Sequence, residues 1–92
     1  MLSSEKFIDM CKSTVVDYWN EKNDPTNYTK LKDDDVFVVW YCKTLQNHKA
    51  LLSTTISDGM YYELTYNGDK NELYFDAYKK WENRCIEVTD EF

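Results

Sequence analysis

Glycine and proline are scarce in this chain, whose 92 residues include 2 Gly and 1 Pro. Disordered and low-complexity segments are poor in apolar residues, whereas 42% of the residues here are hydrophobic and 16% are aromatic. The composition therefore indicates a folded protein, and the length suits one domain over residues 1–92. A domain of this size buries only about two thirds of its unfolded surface, which leaves little room for a deep substrate cleft.

Long apolar runs are missing as well. No stretch approaches the roughly 18 apolar residues that cross a bilayer. The first ten residues, MLSSEKFIDM, carry an acid where a signal peptide has its basic and apolar segments. We therefore expect a chain that begins here, has no contact with a membrane and stays inside the cell.

Metal-site and disulfide patterns are also absent. The three cysteines, Cys11, Cys42 and Cys85, form no CxxC pair, and His48 is the one histidine. This spacing fits neither a disulfide framework nor a zinc site. We expect reduced thiols, no metal and no cofactor.

The sharpest catalytic hypothesis pairs the Cys42 thiol with the His48 imidazole, because a nearby imidazole can convert a thiol into a nucleophilic thiolate. The stretch VVWYCKTLQNHK instead favours Cys42 as a buried strand residue and His48 as an exposed turn residue. No third group that would orient the histidine is recognisable, and glycine-rich oxyanion and phosphate-binding motifs are absent. We predict that the protein is not an enzyme, and Cys-dependent catalysis is kept as a less favoured alternative.

Basic residues are outnumbered, with 11 Lys and Arg against 17 Asp and Glu and a formal net charge of −6. Direct nucleic-acid binding requires a basic stripe for the phosphates and is therefore disfavoured. It stays an alternative because a helix, three strands and a second helix would be the order of a double-stranded-RNA-binding domain. An acidic surface suits contact with a basic patch on another protein, although it can also serve solubility alone.

One amphipathic helix is predicted over residues 4–22. Ser3 or Ser4 can cap its first amides. Apolar residues recur at helical spacing, namely Phe7, Ile8, Cys11, Val15, Tyr18 and Trp19. The helix should end in NEKNDPTN, where Asn23 can cap it and Asp24 precedes Pro25.

A loop over residues 23–35 is predicted to follow and to end in Asp33, Asp34 and Asp35. Adjacent carboxylates repel one another and are usually solvated, and the triplet lacks the alternating ligands of a calcium loop. We interpret these three residues as a turn that can contact a basic partner, not as a metal site.

The rest of the chain is predicted to be mainly β. In VFVVWYCKTL, Val36, Val38, Trp40 and Cys42 alternate with Phe37, Val39 and Tyr41, so both sides are apolar and the strand is expected at the centre of a sheet. QNHK is the predicted turn and ALLSTTI the second strand. MYYELTYNGDKNELYF is typical of a hairpin around Asn67 and Gly68, with a longer loop through Asp69 and Lys70 as the alternative.

The C-terminal end allows two interpretations. The favoured one is a strand over about residues 72–77 followed by a short helix with Phe75, Tyr78, Trp81 and Cys85 on one stripe. A continuous strand is the other. The predicted fold class is α+β, with an N-terminal amphipathic helix packed on a three- to four-stranded antiparallel sheet.

Tyrosine and tryptophan are frequent, and 8 Tyr and 3 Trp exceed what a small core can hide. By alternation, Tyr62 and Tyr66 share one face with either Tyr74 or Phe75. We predict that Tyr62, Tyr66 and Tyr74 contact a partner, since exposed tyrosines are common interface anchors. A second small core or a homodimer seam is the alternative.

Two stretches, VVWYCKTLQNHKALLSTT and SDGMYYELTYNGDKNELYFDAYKKWENRC, resemble a family of small uncharacterised proteins encoded by phages and prophages of Gram-positive bacteria. The resemblance extends from KFIDMCKSTVV to the end of the chain. It implies no catalytic residue and no cofactor. It implies a short phage gene product, made inside a bacterium, of a kind often used to modify or block host machinery.

These features together predict a non-enzymatic phage accessory protein that binds a host bacterial protein and inhibits or redirects it. A host-defence component is one class of target, and the cytoplasm of the bacterial host is the expected location. A self-associating structural protein, hence a homo-oligomer, and a small-ligand-binding protein are the alternatives.

Overall fold

The computed structural model describes residues 2–22 and 30–89. It contains helix α1 (Ser4–Lys22), a short 3-10 helix (Asp33–Asp35) and strands β1 (Val36–Thr44), β2 (Asn47–Thr54), β3 (Met60–Asn67) and β4 (Glu72–Lys79). The strands form one four-stranded sheet in the order β1-β2-β3-β4, and each pairs antiparallel with the next. Helix α1 packs on one face of this sheet, so the predicted α+β fold is confirmed. Among the described residues, no helix combines the length and apolarity needed to cross a membrane.

Helix α1 begins where it was predicted because Ser3 caps it. The Ser3 Oγ atom accepts a hydrogen bond of 3.1 Å from the backbone N–H of Lys6. Phe7, Cys11 and Val15, four residues apart, form the stripe that packs on the sheet, and each is 0% exposed. The predicted helix end at Asn23 to Pro25 lies outside the described residues.

The Asn20 side chain of α1 binds the backbone of Leu31 and so holds the segment before β1 against the helix. The Asn20 amide accepts a hydrogen bond of 3.1 Å from the Leu31 N–H and donates one of 3.3 Å to the Leu31 carbonyl oxygen. This pairing seats Leu31 in the core and directs the chain into the 3-10 helix. There the Asp35 carboxylate accepts a hydrogen bond of 3.0 Å from the Lys32 N–H, so one acid of the triplet shapes the turn that precedes β1.

Strand β1 lies at an edge of the sheet, and its predicted central position was wrong. One side of β1 is apolar because it packs beneath α1, whereas the apolar residues on its other side are exposed. The predicted alternation also fails after Val38. Val38 pairs with Leu52 and Trp40 with Leu51, so Val39 is the extra residue of a bulge.

The bulge exchanges the faces of the second half of β1. Tyr41 pairs with Ala50 on the side covered by α1, together with Val36 and Val38, whereas Trp40 and Cys42 face the other side. A pattern of strict alternation predicts the opposite placement, because it cannot show where a strand gains an unpaired residue.

The turn between β1 and β2 consists of Leu45 and Gln46, not of QNHK. Strand β2 begins at Asn47, so His48 is a strand residue and is 1% exposed. Its Nε2 donates a hydrogen bond of 3.0 Å to the Leu2 carbonyl oxygen, and its Nδ1 lies 2.6 Å from the Tyr41 hydroxyl. The predicted exposed position of His48 was wrong, because both ring nitrogens find partners inside the protein.

The β3–β4 loop and the end of the chain also differ from the favoured predictions. The loop is the longer alternative, through residues 68–71, and the Asn67 side chain accepts hydrogen bonds from the N–H groups of Asp69 and Lys70. Residues 80–89 form neither helix nor strand, so the predicted short helix is absent there. The Trp81 and Cys85 side chains, which that helix would have placed on its apolar stripe, are exposed, Trp81 to 97%.

Candidate protein-binding face

The sheet has one face covered by α1 and one that no described element covers. We name the second the open face. Cross-strand pairing assigns its residues: Phe37, Trp40 and Cys42 on β1, Lys49, Leu51 and Ser53 on β2, Tyr61, Glu63 and Thr65 on β3, and Glu72, Tyr74, Asp76 and Tyr78 on β4. Four large apolar side chains are exposed there, with Phe37 at 47%, Trp40 at 41%, and Tyr74 and Tyr78 each at 51%. Such a concentration of exposed aromatic surface is typical of a binding site.

The charges of the open face are unevenly placed. Lys49 carries its one positive charge, and its Nζ atom lies 3.4 Å from the Glu63 carboxylate. Glu63 of β3 pairs with Asp76 of β4, and Glu72 is the first residue of β4. The three acids of the open face therefore lie on β3 and β4, among the tyrosines of these strands, whereas β1 contributes Phe37 and Trp40 and no acid.

The three tyrosines predicted to contact a partner do not share a face. Tyr62 is 1% exposed and packs against the rings of Tyr18 and Phe75, so it occupies the core, which was the alternative interpretation. Tyr66 lies on the covered face, partly buried, and its hydroxyl donates a hydrogen bond of 2.6 Å to Asn71. Of the two residues considered for the same face, Phe75 joins them, while Tyr74 points to the open face.

The acidic triplet lies before β1 and beside α1. Asp33 and Asp34 are exposed, and the Asp33 carboxylate is 3.4 Å from the Ser13 hydroxyl of α1. These acids are accessible to a basic partner, but they are not part of the open face. Within residues 2–22 and 30–89, no group of three or more His, Cys, Asp or Glu side chains could hold a metal ion.

Cys42 and His48 lie on opposite faces of the sheet. Cys42 is exposed on the open face, where it pairs with Lys49, and its predicted core position was wrong because the Val39 bulge turns it outward. His48 is buried beneath α1 and its ring stacks on Phe7 with centroids 4.9 Å apart. The thiol and the imidazole therefore do not form a nucleophile and base pair in this structure.

The exposed residues Phe37, Trp40 and Tyr78 were not among the predicted contact residues. Phe37 and Trp40 belong to β1, whose sequence is apolar on both sides and is equally consistent with a strand buried on both sides and with one exposed on one side. The order of the strands in the sheet decides between these interpretations, and this order cannot be obtained from the sequence of one strand.

Comparison with curated proteins finds no match, and comparison with solved structures finds none either. A family model described as a family of unknown function, DUF6275, matches residues 8–88. The match includes most of α1 and all four strands. The chain therefore belongs to the DUF6275 family, whose function is unknown.

Proposed function

We propose that this protein is a non-enzymatic phage accessory protein that binds a host bacterial protein through the open face and inhibits or redirects it. The observation that carries the proposal is the exposure of Phe37, Trp40, Tyr74 and Tyr78 on a face that no described element covers. Aromatic residues in such positions are the usual anchors of protein interfaces. The phage origin and the location in the bacterial cytoplasm are supported by the resemblance of the sequence to small phage and prophage proteins.

The distribution of charge on the open face suggests the chemistry of the partner. Glu63, Glu72 and Asp76 border the aromatic residues, and the whole chain has a formal net charge of −6. A partner surface with an apolar centre and basic residues at its rim would complement both properties. Proteins that hold nucleic acid, including components of host defence, commonly present such basic surfaces, and Asp33 and Asp34 add acids beside α1 for a partner that extends there.

Self-association through the open face is the competing function. It would cover the same aromatic residues with those of a second copy. However, two such faces bring together like charges, since each carries three acids and one lysine, and this repulsion opposes a face-to-face dimer.

The test is recovery of partners by the tagged protein expressed in a bacterial host. We expect one bacterial protein in stoichiometric amount with the wild type, and its loss with Trp40→Ala or Tyr78→Ala. With the purified partner, each substitution should weaken binding by about 2 kcal/mol, roughly thirtyfold, as removal of an interface anchor commonly does. Leu45→Asn is the matched control, because it removes an apolar side chain that is 80% exposed in the β1–β2 turn.

Two further measurements make the result decisive. Thermal unfolding of each variant shows that it remains folded, and size-exclusion chromatography of the wild type detects self-association. Recovery of the protein with only itself, in several bacterial strains, would contradict the proposal. A partner that binds Trp40→Ala and Tyr78→Ala as well as the wild type would contradict the use of the open face.

A further inference from the structure

A groove of about 370 Å³ opens at the C-terminal end of α1, on the side of the sheet opposite to the open face. Tyr18 and Lys22 of α1 form one wall, Ile56 and Asp58 of the β2–β3 loop form another, and Met60 and Tyr62 of β3 form the floor, with Trp19 beside them. We name it the helix-end groove. Its volume lies within the range of small-molecule binding sites, and its lining has their usual combination of aromatic walls with a few polar groups.

Tyr62 is one of the polar side chains that line this groove. The side chain is 1% exposed, yet in the described part of the chain no group forms a hydrogen bond with its hydroxyl. Every fully buried polar side-chain atom among these residues has a partner, so the Tyr62 hydroxyl is not fully buried, and the Tyr62 side chain lines the groove. A nearly buried donor without a protein partner is uncommon, and it gains a hydrogen bond when a ligand supplies an acceptor.

Tyr62 remains a donor over the physiological range. Burial, followed by the charge of Asp58 and the proximity of Tyr18, raises the pKa of the Tyr62 hydroxyl to about 12. Asp58 and Tyr62 both line the groove, so a ligand can meet an acceptor and a donor there.

Two opposite charges complete the site. The Lys22 ammonium lies 5.8 Å from the centroid of the Tyr18 ring, at the helix side of the groove. The Asp58 Oδ1 atom accepts a hydrogen bond of 3.0 Å from the Met60 N–H, whereas no described group binds its Oδ2 atom. The groove thus offers a cation from α1, a carboxylate oxygen from the β2–β3 loop and the aromatic rings of Tyr18 and Tyr62.

The loop that carries Asp58 is held in place by its own hydrogen bonds. The Ile56 N–H donates to the Thr54 hydroxyl at 3.2 Å, and the Asp58 N–H donates to the Ile56 carbonyl oxygen at 2.9 Å. Gly59, at a φ of 72° that favours glycine, then turns the chain into β3. A wall fixed in this way loses little conformational entropy when a ligand binds.

We propose that the helix-end groove binds a small aromatic zwitterion, a molecule with a flat apolar body, an ammonium group for Asp58 and a carboxylate for Lys22 and Tyr62. Aromatic amino acids have this chemistry. The aromatic body of the ligand packs against Tyr18 and Met60. Its ammonium and carboxylate groups pair with the charged side chains of Asp58 and Lys22, which line the groove. The site lies on the covered side of the sheet, so it does not depend on the function proposed for the open face.

The test is titration of the full chain with L-tryptophan, followed by calorimetry and by backbone amide chemical shifts. We expect saturable binding at one site, with shifts at Ile56, Asp58 and Met60. Tryptamine lacks the carboxylate and indole-3-acetate lacks the ammonium group, so each should bind about tenfold more weakly. No saturable binding of L-tryptophan up to millimolar concentrations would overturn the proposal.

Variants separate binding from folding. Tyr62→Phe removes only the hydroxyl, which no described group binds, so the melting temperature should not fall, while the affinity for L-tryptophan should fall about tenfold, the effect of one lost hydrogen bond. Asp58→Asn keeps the oxygen that accepts from Met60 but removes the charge, and should weaken binding at least as much. Lys49→Met on the open face is the control and should bind as the wild type does. Wild-type affinity in both Tyr62→Phe and Asp58→Asn would overturn the proposal.

Discussion

His48 and Lys49 are adjacent in β2 but occupy opposite environments. The His48 ring is buried beneath α1, stacks on Phe7 and has partners for both nitrogens. The Lys49 side chain is 48% exposed on the open face, where it meets Glu63. Because successive residues of a strand point to opposite faces, one step along the chain separates a core residue from a surface residue.

This difference predicts unequal effects of two alanine substitutions. His48→Ala empties a buried ring site and leaves the Leu2 carbonyl without its donor, so we expect the free energy of unfolding to fall by about 2–4 kcal/mol. Lys49→Ala removes an exposed ion pair and should lower it by less than about 1 kcal/mol. Urea unfolding of both variants measures the two changes. Equal losses would contradict the core position of His48.

At the level of secondary-structure elements, the bulge in β1 decides which side chains reach the open face. Val39 has no partner in β2, whereas the residues on either side of it do. Removing Val39 therefore leaves every other pair of the β1–β2 ladder unchanged and restores simple alternation. An extra residue of this kind can be deleted without reversing the faces of the strand.

We expect deletion of Val39 to leave a folded protein with a circular dichroism spectrum close to that of the wild type. Deletion of Leu51 is the control, because Leu51 pairs with Trp40 on one side and with Glu63 on the other. That deletion shifts part of β2 against both neighbouring strands and should prevent folding. Thermal unfolding followed by circular dichroism distinguishes the outcomes. Comparable damage from both deletions would show that Val39 is not an independent insertion.

The elements differ in how well the sequence predicts them. Helix α1 was predicted at the bounds it has, because Ser3 and the spacing of Phe7, Cys11 and Val15 are local signals. The hairpin of β3 and β4 was also predicted, and so was the shared face of Tyr62 and Tyr66. Local periodicity is sufficient for each of these features.

The candidate site could be predicted only in part. Of its exposed aromatic residues, Tyr74 was predicted and Trp40 was not, because the position of β1 in the sheet and its bulge depend on pairing with β2. The turn at Leu45 was missed for a related reason. Leu45 adopts a φ of 56°, a conformation that favours Gly or Asn, so its residue type gives no indication of a turn.

At the level of the whole molecule, two buried groups link stability to alkaline pH. Burial raises the pKa of the Cys11 thiol from 9.0 to about 12. The pKa of the Tyr62 hydroxyl rises from 10.0 to about 12. Between the ordinary pKa values of 9.0 and 10.0 and the folded-state values of about 12, the unfolded chain releases protons that the folded protein retains. The stabilisation is therefore fully present below about pH 9 and is lost as the pH rises towards 12.

We expect the free energy of unfolding to decline between pH 9 and 12, and to decline less in a variant with both Cys11→Ala and Tyr62→Phe. Denaturant titrations at a series of pH values measure this slope. Cys85→Ala is the control, because it removes an exposed thiol instead of a buried one. An unchanged slope in the double variant would mean that other groups cause the alkaline loss of stability.

The pairing of each strand with the next also determines the order in which the chain can fold. The β1–β2, β2–β3 and β3–β4 hairpins close only short loops, so the sheet can assemble rapidly from local contacts. Helix α1 depends on partners further along the chain, since its stripe of Phe7, Cys11 and Val15 packs on residues of β1 and β2. During synthesis α1 leaves the ribosome before the four strands, and an isolated helix of this length is marginal in water. The apolar stripe of α1 therefore stays uncovered until the β1–β2 hairpin has left the ribosome.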